Sequence, residues 1–330
     1  MQDTIKDIVP SEASGAAEQQ NAIPNMGEVQ NLPEEGQKIK RYHKGISPLM
    51  LVLGIILVVY SISLLLPMIW SLITSFKDRY EFRKNLFGLP QEWVLENYIN
   101  VFKTFKVTVE SGAGNRVVWF EEMFLNSLLY AIGCAFASTT VACVVAYLTS
   151  KFPYKFSKVI YTVVIVVMII PIVGSLPSEI QMSQTLGFYD HIWGLWIMKA
   201  NFLGMYFLVF YGMFKGLPDE YADAAYVDGA GNLNVLLTII FPLVKTTYFT
   251  IWLLNFIGLW NDYQTPLVYI PNSPTMAYGL YYMFNLTSEA VASVPTKLAA
   301  CMVMLVPILA LFLIFHNRLI GNITVGGLKE

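Results

Sequence analysis

Apolar residues in this chain fall in long runs rather than at the 3.6- or 2-residue intervals of a soluble helix or strand. About 20 consecutive apolar residues cross roughly 30 Å of hydrocarbon. Six runs meet or approach that length, at about 48–76, 123–148, 158–175, 191–214, 235–258 and 298–315. The pattern predicts an all-α polytopic membrane protein with six transmembrane helices. The second run is rich in Ala, Ser, Thr and Gly, the small residues that let membrane helices approach closely, so it is expected inside the bundle. Pro171 and Pro177 interrupt the end of the third run, and the polar stretch from Gln181 to Asp190 reads as an external loop or an unwound helix end beside a cavity.

The polar segments order the spans. Residues 1–45 are read as an N-terminal tail, with the membrane domain over 46–330. Met1 to about Gln37 is acidic and rich in Glu, Gln, Asn, Ala and Pro, with too little apolar area to offset the entropy of ordering. The cluster Lys38-Ile-Lys-Arg-Tyr-His-Lys44 precedes the first span, and Lys151, Lys155 and Lys158 follow the second. Both clusters are expected in the cytoplasm, which with six spans puts both termini there. Lys77 to about Glu122 then becomes an external loop, and its own basic group, Lys77 to Lys84, dissents in a loop long enough for the rule to weaken.

Composition narrows the classes. Hydrophobic residues make up 55% of the chain and charged ones 13%, too apolar for a soluble domain of this length, and a net charge of −2 argues against a nucleic-acid partner. Cys134, Cys143 and Cys301 lie in apolar runs without a CxxC or a His companion, so neither disulfides nor zinc are indicated. A Gly-x-x-x-x-Gly-Lys-Ser/Thr loop is absent, so any nucleotide chemistry belongs to another subunit.

Between the fourth and fifth runs lies the polar loop 215–232, containing Pro218-Asp-Glu-Tyr-Ala-Asp-Ala-Ala-Tyr-Val-Asp-Gly-Ala-Gly231. Pro218 suits the first turn of a helix, and Asp219 and Glu220 sit where the helix dipole favours negative charge. Ala222, Ala225 and Tyr226 share one side, Asp219 and Asp223 another, and Gly229 and Gly231 end the helix. An apolar run containing Pro242 follows, giving a helix–turn–helix elbow.

This stretch resembles the EAA loop of the membrane permease subunits of binding-protein-dependent ABC importers, whose pattern is Glu-Ala-Ala, three residues, Gly, nine residues, Ile, one residue, Leu-Pro. Asp223, Ala224 and Ala225 stand for Glu-Ala-Ala, Gly229 for the glycine, Ile239 for the isoleucine and Phe241-Pro242 for Leu-Pro. Asp keeps the charge on a shorter arm and Phe keeps the apolar bulk. The resemblance implies that a cytoplasmic helix between spans four and five couples the chain to an ATPase subunit, through Glu220, Asp223, Ala224, Ala225, Asp228, Gly229, Ala230, Gly231, Ile239 and Pro242. Pro90-Gln-Glu-Trp-Val-Leu-Glu-Asn-Tyr98, Asn126-Ser127, Leu186-Gly-Phe-Tyr189, Trp260-Asn-Asp-Tyr263 and Gly326-Gly-Leu-Lys329 are similar to elements of sugar-type permeases, which places the chain with the shorter, maltose-permease-like subunit. Its implied partners are a second permease subunit, in a heterodimer or a homodimer, two ATPase domains that bind ATP and Mg, and an external solute-binding protein. The implied solute is a saccharide, with amino acids, peptides or polyamines as alternatives. The implied location is the bacterial cell membrane, and this chain itself is implied to bind no cofactor and to be no enzyme.

Candidate solute contacts follow from chemistry. An ionisable residue at membrane depth is costly and marks a pathway or a partner. Lys199 either snorkels to the interface or lines a cavity, where it would favour a carboxylate-bearing solute; Asn201 lies near it in sequence. Trp260, Asn261, Asp262 and Tyr263 mix aromatic faces with polar groups, as sugar rings require, though singly Trp260 and Tyr263 also fit an interfacial aromatic belt. Two rivals are a membrane-embedded enzyme using Glu179, Asp190 and His191, and an ion-coupled secondary transporter. The first lacks paired His ligands, and the second would need ionisable residues in several spans.

Overall fold

In the computed structural model the described residues are 48–111, 114–152, 154–170, 174–285, 287 and 292–323. The tail 1–45 and the terminal Gly326-Gly-Leu-Lys329 lie outside them. The chain divides into units 1–57 and 58–330; the described part of the first is the start of helix α1 (Pro48–Ser75). The second unit carries everything that positions the sites.

Among the described residues four helices are long and apolar enough to cross a membrane. They are α1, α4 (Phe120–Lys151), α10 (Asn232–Trp260) and the Val294–Phe315 part of α13 (Val294–Ile323). The other two predicted runs look different. The third yields α5 (Lys155–Ile169), whose 15 residues are short of a full crossing. The fourth is broken into α7 (Ile192–Lys199) and α8 (Met205–Lys215), with Ala200–Gly204 non-helical between them. Lys199 and Asn201 are the polar residues at this break in an otherwise apolar run. The interruption is local: the Asn201 N–H turns back to the Lys199 carbonyl (2.8 Å), and Gly204 is fully extended at φ 171°.

Helix α4 is the axis of the unit, packing against α7, α8 and α10. Its buried positions include Met123, Ser127, Tyr130, Ala131, Cys134, Ala135, Ala142, Cys143 and Ala146, a seam of mostly small residues at three- and four-residue steps. Lipid is as apolar as these side chains, so close packing and interhelical hydrogen bonds rather than water exclusion hold the seam. Gly133 shows how close: a Cβ there would lie 2.1 Å from the indole of Trp196, whose Nε1 donates to the Leu129 carbonyl (2.9 Å). Thr140 and Tyr248 share a hydroxyl hydrogen bond of 2.7 Å, and Asn255 donates to Thr139 (2.9 Å). Each such bond contributes about 0.6 kcal/mol on average in a membrane bundle.

The described residues of the loop 77–119 are not all helix. They hold α2 (Arg79–Lys84), α3 (Glu96–Thr104) and an antiparallel hairpin of β1 (Lys106–Ser111) with β2 (Gly114–Trp119). Lys77, part of the dissenting basic group, is fully buried and donates to the Asn85 carbonyl (2.7 Å). The Asn-Tyr phrase explains itself here. Asn97 donates to the carbonyls of Ser75 (2.9 Å) and Lys77 (2.8 Å) and accepts from Thr296 (3.1 Å), while the Tyr98 hydroxyl meets that of Ser75 (2.7 Å). These bonds tie the end of α1 to the start of α13. Similarly Ser127 accepts from the N–H of Met276 (2.7 Å) and Asn126 donates to the Pro274 carbonyl (3.1 Å), seating α12 (Met276–Asn285) on α4.

Candidate functional site: a polar hairpin and an aromatic cavity

Two sites stand at opposite ends of α8–α10. The first is the hairpin between them, built on α9 (Glu220–Val227). The helix begins two residues after Pro218, and the N–H groups of Ala222 and Asp223 both reach the Asp219 carbonyl (2.9 and 3.0 Å). At its other end Gly229 adopts φ +80°. The Gly229 N–H donates to the Tyr226 carbonyl (3.0 Å) and the Ala230 N–H to the Ala225 carbonyl (2.9 Å), the paired bonds of a Schellman stop that requires a left-handed residue. Gly231 does not stop this helix; extended at φ −76°, ψ 157°, it caps the start of α10.

Ala225 is buried, with Ala222 and Tyr226 packed beside it against Val235, Ile240 and the partly buried Ile239. The opposite face carries Glu220, Tyr221, Asp223, Ala224, Val227 and Asp228, all exposed, with Val227 87% open. An acidic face with two large uncovered apolar side chains suits a partner surface bearing Arg or Lys. Lys151, at the end of α4, donates to the Leu217 carbonyl (2.5 Å) and to Asp219 Oδ1 (2.6 Å), holding the hairpin's entry. A cavity of about 210 Å³ lies between Tyr147, Lys151, Asp219, Asp223 and Tyr226. Beyond Gly231, α10 opens its coil into a π-helical turn over Val235–Ile240. Pro242, exposed just after it, offers no N–H to the preceding turn and its ring crowds that carbonyl, which the wider turn relieves.

The second site is a cavity of about 580 Å³ where α6 (Leu176–Thr185), the end of α7, α11 (Gln264–Tyr269) and α12 meet. Glu179, Lys199, Tyr263, Gln264, Tyr269 and Tyr281 line it. Tyr263 and Tyr281 stack with ring centres 4.7 Å apart and planes 9° from parallel. The Tyr269 hydroxyl donates to Glu179 Oε2 (2.9 Å). Hydrogen bonds from Ser175 and Tyr269, aided by the charge of Lys199, hold the Glu179 carboxyl below its usual range. Burial, and then the bond to and charge of Glu179, push the Tyr269 phenol up to about 12, so it remains a donor at neutral pH. A clamp fixes one rim: Asp190, at φ 61°, accepts from the Asn272 N–H (3.1 Å) and Nδ2 (2.7 Å), and its own N–H donates to the Tyr269 carbonyl (2.7 Å).

The family described as binding-protein-dependent transport system inner membrane component matches residues 117–324, a stretch holding both sites. This chain belongs to that family. The permease is 25% identical over 281 residues to the diacetylchitobiose uptake system permease protein of Streptomyces coelicolor, covering 82% of this chain and 86% of that protein. It is 23% identical over 278 residues to the multiple sugar-binding transport system permease protein of Streptococcus mutans, covering 83% and 95%. Among solved structures it resembles a chain of a bacterial ABC transporter involved in the import of the acidic polysaccharide alginate. The TM-score is 0.67 at 22% identity, covering 84% of this chain and 98% of that one, a likeness of fold. The protein is thus a multi-pass transport subunit of the cell membrane.

The permease fold separates the residues singled out from sequence. Of the six pathway candidates, Lys199 and Tyr263 line the cavity. Trp260 does not: it is 1% exposed, packed among Phe124, Ala131 and Phe256, with Nε1 donating to the Met304 carbonyl (3.2 Å). Asp262 accepts from the Tyr130 hydroxyl (3.0 Å) and from the Thr265 N–H (3.0 Å), so its carboxylate orders the turn into α11. Asn261 is exposed and donates back to the Ile257 carbonyl (2.9 Å), and Asn201 lines a separate small cavity with Ser138 and Tyr206. Trp-Asn-Asp-Tyr is therefore mainly a structural corner with one residue in the cavity. Sequence reasoning missed Tyr269, Tyr281 and Gln264, which carry no motif of their own, and it met Glu179 only as a rival catalytic group.

Proposed function

We propose that this chain is the permease subunit of an ATP-driven importer that passes a saccharide, by preference an oligosaccharide, from an external binding protein into the cytoplasm. Family membership and two relatives whose names specify chitobiose-type and multiple-sugar uptake support the solute class. The observation that carries the reading to this chain is the cavity. Stacked Tyr263 and Tyr281 offer flat apolar faces to a sugar ring, and Glu179, Lys199, Gln264 and Tyr269 offer donors and acceptors to its hydroxyls.

In this reading α9 is the coupling helix. Its acidic face, with Glu220, Asp223 and Asp228, docks on a cytoplasmic ATPase subunit that binds ATP and Mg. Gly229 and the π-turn before Pro242 fix the angle at which its motion enters α10. The chain spans the membrane six times in a type I permease fold, with α5 as one span and α7–α8 together as another whose break lies at membrane depth. Non-helical backbone is tolerated there only against protein or a water-filled cavity, and the end of α7 does face the cavity through Lys199. Both termini are cytoplasmic, and a second permease subunit completes the pathway.

The test is the ATPase activity of the complex purified through this chain and reconstituted with its binding protein. Stimulation by neutral or acidic oligosaccharides, and not by amino acids or polyamines, is the expected result. Purification without an ATPase subunit would overturn the importer reading, and stimulation by amino acids alone would overturn the solute class.

A further inference from the structure

A third cavity, of about 740 Å³, opens where the end of α4 turns into α5, beside α8. It is lined by Lys155, Lys158, Thr149, Tyr154, Tyr161 and Tyr211 among others, two cations and several hydroxyls with no carboxylate among the described residues of the wall. Neither lysine makes an ion pair among the described residues, unlike Lys151 one turn earlier, which is held by Asp219. Lys215 extends the basic rim, its Nζ lying 5.9 Å from the ring centre of Tyr211. Tyr211 in turn packs on Tyr161, with ring centres 4.7 Å apart. At the back of the cavity Thr149 is 4% exposed, and its Oγ1 lacks a hydrogen-bond partner among the described residues. Two cations beside the hydroxyls of Tyr154, Ser157 and Tyr161 fit an anion with several oxygens.

Position decides which anion. The cavity sits at the polar ends of two apolar helices, where a span leaves the hydrocarbon. From its rim α5 continues with Phe156, Val159, Val163 and Val166 exposed at 69%, 54%, 42% and 44%. Their spacing of three, four and three residues lays them on one face of the helix. A ligand with a phosphate in the cavity and acyl chains along this face satisfies both surfaces at once, whereas a free phosphate would use only the first.

We propose that the cavity between α4, α5 and α8 binds the phosphate headgroup of an anionic phospholipid, held by Lys155 and Lys158 with its acyl chains on the Phe156–Val166 face. The site is independent of the transported solute. Basic residues at the membrane surface attract anionic lipid with roughly 1 kcal/mol each, about fivefold in affinity per lysine.

The experiment uses the intact importer complex in nanodiscs of equal parts phosphatidylcholine and phosphatidylglycerol, with retained lipid read by native mass spectrometry. The wild type is expected to retain phosphatidylglycerol over phosphatidylcholine. Lys155→Gln/Lys158→Gln is expected to lose that preference by at least tenfold, and Lys103→Gln/Lys106→Gln, on the opposite loop, to keep it. Equal retention in the wild type and the Lys155/Lys158 variant would overturn the proposal. A parallel arm adds millimolar inorganic phosphate: unchanged lipid retention is expected, and displacement would assign the site to a soluble phosphate instead. Solute-stimulated ATP hydrolysis, followed in the same samples, tests the importer reading separately.

Discussion

The hairpin around α9 and the cavity at the far end of α7–α10 both set a lysine near a carboxylate, yet they are built in opposite ways. In the hairpin the distant contact, Lys151 to Asp219 at 2.6 Å across 68 residues, only anchors the entry, while the backbone bonds that shape α9 itself join residues three to five positions apart. In the cavity, the carboxylate of Glu179 is held first by nearby Ser175 and then by Tyr269, 90 residues away, and the facing tyrosines come from α12 and the turn before α11. A structure closed by local bonds keeps its shape when its surroundings move, so it can carry displacement. One closed by distant segments changes shape when they shift, as the proposed solute cavity would have to in order to open and release.

The comparison breaks most sharply at Gly229. A Cβ there meets nothing within 4 Å, so substitution fails through φ +80° alone. A β-branched residue in that conformation costs roughly 1–3 kcal/mol, enough to unwind the Schellman stop and change the angle of α9. Gly229→Val is therefore expected to insert normally and retain basal ATP hydrolysis while losing at least tenfold in solute uptake by proteoliposomes. Uptake at the wild-type rate would show that the hairpin's shape does not matter to coupling.

A smaller effect is expected at Lys151. The Asp219 side chain is 76% exposed, so the ion pair itself contributes at most about 1 kcal/mol. Its bond to the Leu217 carbonyl also ties α4 to the hairpin. Lys151→Gln keeps a donor near that carbonyl and removes the charge. Uptake should fall about two- to fivefold, with the loss shrinking as salt is raised, because wild-type coupling through an exposed pair is itself screened. A salt-independent loss would assign the effect to the Leu217 bond.

What the sequence disclosed follows the same division. The hairpin could be read residue by residue, because capping, the left-handed glycine and the proline are local constraints written in consecutive positions. Even so, the sequence offers Gly231 as a second stop where it begins the next helix, and the elbow's π-turn leaves no sign beyond Pro242. The cavity was half legible. Lys199 stood out because charge in an apolar run is conspicuous, whereas Tyr269 and Tyr281 are two among 19 tyrosines and acquire meaning only when α11 and α12 fold together. Trp260 misled for the converse reason, since a tryptophan beside polar residues looks the same in sequence whether its ring faces a solute or, as here, Phe124 and Phe256. The break between α7 and α8 is masked because hydropathy averages Lys199 and Asn201 into the apolar residues around them.

The finest test concerns proton binding in the cavity. Glu179 is held below its ordinary value of 4.5 first by the bond from Ser175 and second by that from Tyr269, with the charge of Lys199 assisting and burial opposing. A carboxyl depressed in the folded state contributes stability that is complete above its ordinary value and disappears as pH falls through the depressed one. Tyr269→Phe removes the second cause and leaves the first, so Glu179 should protonate at a higher pH than in the wild type. The acid limb of solute-stimulated ATP hydrolysis should move upward accordingly, with little change near neutrality, where both forms are charged. Glu179→Gln should remove that limb's dependence on Tyr269, making the double variant identical in pH profile to Glu179→Gln alone. If Tyr269→Phe still shifts the profile in the Glu179→Gln background, the titrating group lies elsewhere and the hydroxyl acts on the solute directly.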